Sequence, residues 1–239
     1  MGQLDGKVCI ITGGGRGIGK GIARAFAKEG ATLVLASRQL ENLNETAEEM
    51  RGYGSPTLVV QTDVTSEEQI ISLFEATMAE YGRVDILVNN SGVFDGGPVD
   101  ELSLETWNKV ITINLTAAFI CTREAMKIMK PQGGGRIINI GSISSSIPRW
   151  NSAAYATSKH GIIGLTKSTA LEGRDHGISA GALHPGSVTL EWRGPEDPNA
   201  TMSVDELAIA ALAMAVMPPY ATMLDATVLP IRQPFLGRG

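Results

Sequence analysis

The sequence predicts a single doubly wound α/β domain of about seven parallel strands flanked by helices, and three observations predict it. Seven short apolar runs, at residues 8–12, 32–36, 57–61, 84–89, 136–140, 178–184 and 226–229, are separated by longer amphipathic stretches. Several of these runs are apolar almost throughout instead of alternating, as in parallel strands covered on both faces. No linker, low-complexity segment or short repeat interrupts the order, so residues 1–239 read as one domain.

Composition narrows the function classes. With 239 residues, 43% hydrophobic and 19% charged, the chain can bury a sizeable core and is not a disordered segment. A net charge of −5 argues against a nucleic-acid partner bound through its phosphates. Cys9 and Cys121 are too few for a disulfide framework, and His160, His176 and His184 show no ligand spacing, so no metal is expected. Asp5 and Lys7 interrupt any signal-peptide core, and the longest apolar run, 207–217, is too short to span a membrane. The expectation is a cytoplasmic protein without a membrane partner.

Strand 8–12 runs directly into Gly13-Gly14-Gly15-Arg16-Gly17-Ile18-Gly19, and the following helix places Ile22, Ala23, Phe26 and Ala27 on one face. Strand, glycine loop and helix start together make an anion site, because free amides and the helix dipole face a closely approaching phosphate. The spacing of Gly13, Gly17 and Gly19 is not the strict G-x-G-x-x-G, and any tight strand-to-helix turn also uses glycines. Strand 32–36 leads to Ser37-Arg38, where an acidic residue would mark NAD. Arg38 and Arg16 suit a ribose 2′-phosphate that a carboxylate would repel, so NADPH/NADP+ is expected over NADH; the alternative is two solvated surface arginines.

After strand 57–61, Asp63-Val64 is placed either to meet an adenine amino group or as a turn. Thr65-Ser66-Glu67-Glu68 reads as a capping box with Thr65 as N-cap. Strand 84–89 ends in Asn89-Asn90-Ser91-Gly92, whose side-chain amides can tie strand ends together or simply form a turn. The helical pattern over 107–130 carries Asn114 among Ile111, Ile113 and Leu115. A mid-helix asparagine usually faces water, but this one can hold a water in a proton relay.

Ser142 follows strand 136–140 directly, with Ser144, Ser145 and Ser146 behind it as a serine-rich turn. Thirteen residues after Ser142, Tyr155-Ala-Thr-Ser-Lys159 opens a helical pattern that runs to about residue 175. The i, i+4 spacing sets phenol and ammonium on one helix face, where the cation stabilises a phenolate for acid–base work. Strand 178–184 ends in His184, read as a strand-end histidine without chemistry, before Pro185-Gly186. Residues 190–202 form a loop that is either a short substrate loop or an ordinary solvent loop, and Ser203–Glu206 caps the last helix. Phe94, Arg149, Trp150 and Trp192 are the substrate candidates; an arginine beside a tryptophan could seat an apolar carbonyl compound bearing an acid, or Trp150 could pack a loop or subunit contact.

Taken in order, Thr12–Gly19, Asn89-Asn90-Ser91-Gly92, Asn114, Ser142, Tyr155-x-x-x-Lys159 and Pro185-Gly186 resemble the short-chain dehydrogenase/reductase family. The resemblance implies a Rossmann-type domain and an NADP-preferring carbonyl reductase that interconverts a ketone or aldehyde and an alcohol. It makes Tyr155 the general acid, Ser142 the partner of the carbonyl oxygen, and Lys159 the residue that holds the nicotinamide ribose and lowers the phenol's pKa. Asn114 anchors a relay water, while Gly13, Gly15, Arg16, Gly17, Ile18, Gly19, Ser37, Arg38, Asp63, Val64 and Asn90 line the cofactor. Pro185, Gly186, Val188 and Thr189 position the nicotinamide, and the partners are a small-molecule substrate and further copies in a homotetramer or dimer. The usual alanine is Ser91 here, and the glycine-rich stretch near the last strand is missing, which leaves the substrate open. A catalytically silent NADP-binding regulator is the alternative; a sugar-nucleotide epimerase needs more chain than follows Thr189.

Overall fold

The computed structural model describes residues 2–192 and 201–235. Seven parallel strands form one sheet in the order β3-β2-β1-β4-β5-β6-β7: β1 Val8–Thr12, β2 Thr32–Ser37, β3 Thr57–Gln61, β4 Ile86–Asn89, β5 Gly135–Ile140, β6 Ile178–Pro185 and β7 Asp225–Val228. The near-continuous apolar runs are explained by burial on both faces. Cys9 and Ile11 of β1 and Leu33 and Leu35 of β2 join a core with α1 (Gly17–Lys28), α2 (Leu40–Gly52) and α7 (Val204–Ala215). Val8, Ile10, Val34 and Ala36 point the other way, into a core with α3 (Glu67–Tyr81) and α5 (Ala117–Gln132).

The strand order reverses at β1, which pairs with β2 on one side and β4 on the other. In such a sheet the crevice outside the carboxyl ends of the strands at the reversal is the ligand site. Helix ends behave as their sequences dictate: Ser203 and Glu206 form a reciprocal cap on α7, and Gly82 and Gly133 end α3 and α5 in the left-handed region.

Two local expectations need correction. The N-cap of α3 is Ser66, whose hydroxyl accepts from the Gln69 amide at 3.3 Å, because Thr65 is engaged elsewhere: its amide and hydroxyl donate to Asp63 Oδ1 at 2.9 and 2.8 Å. The helical pattern at 107–130 is three pieces: α4 Leu104–Ile111, a π-helical turn Thr112–Thr116 and α5. The π turn contains Asn114, whose side chain reaches outside its own helix for bonds. Most of the loop predicted at 190–202 lies outside the described residues, but its ends are tied, with Val188 and Met202 forming a parallel bridge. No helix among the described residues is long and apolar enough to cross a membrane.

Candidate active site

The carboxyl ends of β1 and β4 are laced together by side chains. The Asn90 amide nitrogen donates to the carbonyls of Thr12 and Gly13 at 2.9 and 3.1 Å, and the amides of Asn90 and Ser91 donate to the Thr12 hydroxyl at 3.0 and 3.1 Å. Gly13 has φ of 65°, and a Cβ there would stand 2.8 Å from the Asn90 amide, so only glycine fits. Helix α1 starts after Arg16 with no side chain capping it, which leaves its first amides for an anion. A glycine cradle beside an uncapped helix start fits the pyrophosphate of a dinucleotide.

A cleft of about 770 Å³ runs from this loop across the strand ends, a size in the range of small-molecule sites. Of the predicted cofactor residues, Gly13, Gly15, Arg16, Ile18, Ser37, Arg38, Asp63, Val64 and Asn90 line it at one end, and Pro185, Gly186 and Val188 at the other. Gly17 and Gly19 shape the loop without lining the cleft: Trp192 lies over Gly17, and Gly19 packs on the Gly13 carbonyl. Thr189 also stays outside the lining, its hydroxyl donating to Thr201 at 3.0 Å and its amide to the Met202 carbonyl at 2.8 Å. Asp63 is held below the usual carboxylate range by the Thr65 amide and hydroxyl, with Arg38 adding to the effect.

At the centre of the cleft stand Ser142, Tyr155 and Lys159. Helix α6 (Ala153–Gly173) carries Tyr155 and Lys159 one turn apart, with the Lys159 ammonium 5.7 Å from the centre of the phenol ring. Lys159 is only 5% exposed and donates to the Ile140 carbonyl at 2.8 Å; burial pushes its pKa down to about 8. Asn114 does not line the cleft. Its amide nitrogen donates to the Val93 carbonyl (2.9 Å) and the Ser158 hydroxyl (3.1 Å), its oxygen accepts from the Val93 amide (2.8 Å), and Ser158 in turn donates to the Tyr155 carbonyl at 2.7 Å. The side chain thus clamps the strand-β4 loop to the first turn of α6, and its oxygen and the Lys159 ammonium both border Gly92.

His184, expected as a strand-end histidine without chemistry, touches the serine's backbone. Its Nδ1 accepts from the Ser142 amide at 3.3 Å, so a neutral ring carries its proton on Nε2, which faces Asp225 at 3.5 Å without forming a hydrogen bond. Burial holds the ring's pKa below the ordinary value, with Asp225 and the Ser142 amide opposing the shift. The Ser142 hydroxyl accepts from the Ser144 amide at 3.1 Å, leaving its proton to point elsewhere.

On the substrate side, Phe94, Arg149 and Trp192 line the cleft, whereas Trp150 is 94% exposed and turned away from it. Phe94 meets Tyr155 edge to face at 5.1 Å, Arg149 stacks 4.2 Å over Phe94, and Arg16 lies 4.3 Å from the Trp192 ring. The C-terminal segment contributes residues the sequence reading missed: Gln233 and Phe235 reach the cleft, and Gln233 Oε1 accepts from the Ser187 amide at 2.7 Å. No pattern short of a contact across 46 residues could have placed them. Among the described residues no cluster of His, Cys, Asp or Glu is arranged to hold a metal.

Comparison with known proteins adds a lineage to this geometry. The family profile described as short chain dehydrogenase matches residues 7–200. The chain is similar to 3beta-hydroxysteroid dehydrogenase 1 of Eggerthella lenta, 37% identical over 209 residues that cover 86% of this chain and 80% of that protein. It is also similar to cis-4-hydroxycyclohexanecarboxylate dehydrogenase of Sinomonas cyclohexanicum, 35% identical over 200 residues, 82% of this chain and 80% of that one. Among solved structures, a short-chain type dehydrogenase/reductase from Mycobacterium marinum superposes with a TM-score of 0.89 at 30% identity, covering 95% of each chain.

Proposed function

The chain belongs to the short chain dehydrogenase family, an oxidoreductase acting on alcohol and carbonyl groups, and we propose that it is an NADP(H)-dependent enzyme interconverting a ketone and a secondary alcohol with Tyr155 as general acid and base. The observation that carries this reading is the buried Lys159, bonded to the Ile140 carbonyl and without a counter-ion among the described residues, one helical turn from a half-buried Tyr155 in the cleft beside Ser142. The two relatives named above act, by their names, on ring-borne hydroxyls, which supports a secondary alcohol as the reduced form.

The nicotinamide cofactor supplies or accepts the hydride when bound. The chain's own residues handle the oxygen and its proton. In reduction, the Ser142 hydroxyl donates to the carbonyl oxygen, and Tyr155 gives that oxygen its phenolic proton as negative charge builds there. Lys159, charged below about pH 8, stabilises the phenolate left behind and lowers the cost of forming it. Asn114 and Ser158 hold the α6 turn that carries the phenol, while His184 holds the Ser142 backbone. The NADP preference rests on Ser37 standing where a carboxylate would exclude a 2′-phosphate, with Arg38 and Arg16 also lining the cleft.

Tyr155→Phe tests the reading. Turnover of a cyclic ketone with NADPH should fall by about 10²–10⁴-fold, with NADPH affinity by fluorescence titration kept. Persistence of ketone-dependent NADPH oxidation in that variant would refute the role of the phenol; loss of NADPH binding along with turnover would show that the residue is structural.

A further inference from the structure

Among the described residues four cations line the cleft: Arg16, Arg38, Lys159 and Arg149. The first three have work in the reaction proposed above, at the ribose phosphate and the phenol. Arg149 has none, and it sits on the substrate side. We propose that Arg149 is a carboxylate subsite, so that the substrates are oxo acids and the matching hydroxy acids, with the carbonyl at Tyr155 and the carboxylate on the guanidinium. This assignment rests on the reading of Tyr155 as proton donor.

Three features of the chain support it. The first is that Arg149 is held in place. The Ser152 hydroxyl donates to the Arg149 carbonyl and accepts from its amide at 3.2 Å, and Ser152 is the N-cap of α6, three residues before Tyr155. Between them Asn151 takes the left-handed conformation, φ 57°, and its carbonyl presses so closely on Gly96 that a Cβ there would not fit. The loop bearing Arg149 is therefore fastened both to the helix of the phenol and to the loop of Phe94. Its distance from Tyr155 is set by one short, doubly bonded turn.

The second feature is how the guanidinium is presented. It stacks 4.2 Å over Phe94, which in turn stands 5.1 Å from the Tyr155 ring. The guanidinium carbon lies over the ring, and among the described residues none of the guanidinium N–H groups has a hydrogen-bond partner, so the donors that can bind a carboxylate bidentately are available. Ile143 and Ile147 line the same part of the cleft, so an apolar spacer of a few carbons between carbonyl and acid has a matching wall.

The third feature is the absence of a competing anion. Among the described residues no carboxylate pairs with Arg149. Asp95, next to the stacking phenylalanine, is already engaged, by Lys109 at 2.8 Å and by the Gly96 amide at 2.9 Å. An exposed arginine held on an aromatic face, lining the reaction cleft and without an ion pair among the described residues, is available to an anionic ligand.

The reaction balances without further reagents: a hydride from NADPH forms the new C–H bond, the carbonyl π pair becomes the O–H bond with the Tyr155 proton, solvent returns a proton to the phenol, and the carboxylate is unchanged. The test uses 4-oxocyclohexanecarboxylate and its uncharged carboxamide on the full chain, by NADPH-dependent turnover and by calorimetric titration of each compound into the protein–NADP+ complex. Wild type should prefer the acid by about tenfold to a hundredfold in KM and in Kd, the worth of a charge-assisted pair. Arg149→Gln should collapse that preference, and Arg149→Lys should restore part of it. Equal handling of acid and amide by wild type, or a preference untouched in Arg149→Gln, overturns the subsite while leaving the reductase reading intact. Arg149-dependent binding of the acid with no turnover of either ketone supports the subsite and overturns the reductase reading instead.

Discussion

The two ends of the parallel sheet treat buried charge in opposite ways. At the amino end, Asp85 is 7% exposed and fully answered: Arg83 donates to it through two nitrogens at 2.7 and 2.6 Å, the Val8 amide at 3.0 Å, and Lys7 stands at 3.5 Å. Burial would raise its pKa, but those donors outweigh the burial and hold the carboxyl below its usual range. At the carboxyl end, Lys159 is equally buried and has one carbonyl, no counter-ion among the described residues, and a pKa that burial pushes down to about 8. Arg16, Arg38 and Arg149 share that edge, and none of them forms an ion pair among the described residues. A satisfied buried charge fastens a fold. One left unsatisfied marks where a ligand or a developing charge completes the set.

The contrast can be broken at several points. Asp85→Asn should lower stability by about 1–3 kcal/mol in denaturant unfolding, with turnover per folded molecule unchanged. Because the folded carboxyl titrates below its unfolded value, its contribution is present above about pH 4 and lost as pH falls through the folded value; the variant should lack that acid-side loss. If Asp85→Asn instead abolishes turnover in folded protein, the amino end is not merely structural.

His184 should behave as a positioning residue. Its folded pKa lies below its unfolded value, so the stability it provides is complete above about pH 6.5 and lost as pH falls toward the folded value. Protonation turns Nδ1 from acceptor to donor and costs the Ser142 amide one of its two acceptors, the other being the Ser145 hydroxyl at 3.2 Å; Asp225 and Lys159 are the charges that bias the ring. His184→Asn should remove the stability slope in that window and lower kcat by about tenfold with the NADPH KM kept. A slope that survives the substitution would assign it to another group.

The remaining break point is the ribose end. Ser37→Asp should move the NADPH-over-NADH affinity ratio toward NADH by about tenfold or more, equivalent to at least ~1.4 kcal/mol. An unchanged ratio would remove Arg38 and Arg16 from the phosphate site.

How much of this was legible in the sequence follows from the range of the interactions. The central strands were readable because alternate residues of their runs bury on opposite faces, as Val8 and Cys9 do, and the motif residues fall at strand ends that the topology brings to one edge. The π turn at Asn114 was not readable, since Val93 and Ser158, whose bonds draw that side chain out of the helix, lie 21 and 44 residues away. Gln233 and His184 act through contacts with Ser187 and Ser142 that no local pattern encodes. Of the adjacent candidates Arg149 and Trp150 only Arg149 lines the cleft, a difference set by the Ser152–Arg149 bonds and the left-handed Asn151 between them, which the sequence does not display.

The most direct test of the contrast is Lys159→Met, with unfolding free energy and ketone reduction measured on the same preparation. Removing a charge buried without a counter-ion should leave stability within about 1 kcal/mol of wild type or above it, while turnover falls by about 10²-fold or more. A variant that is destabilised as much as Asp85→Asn yet still reduces ketones would contradict the account, because Lys159 would then be holding the fold and not the chemistry.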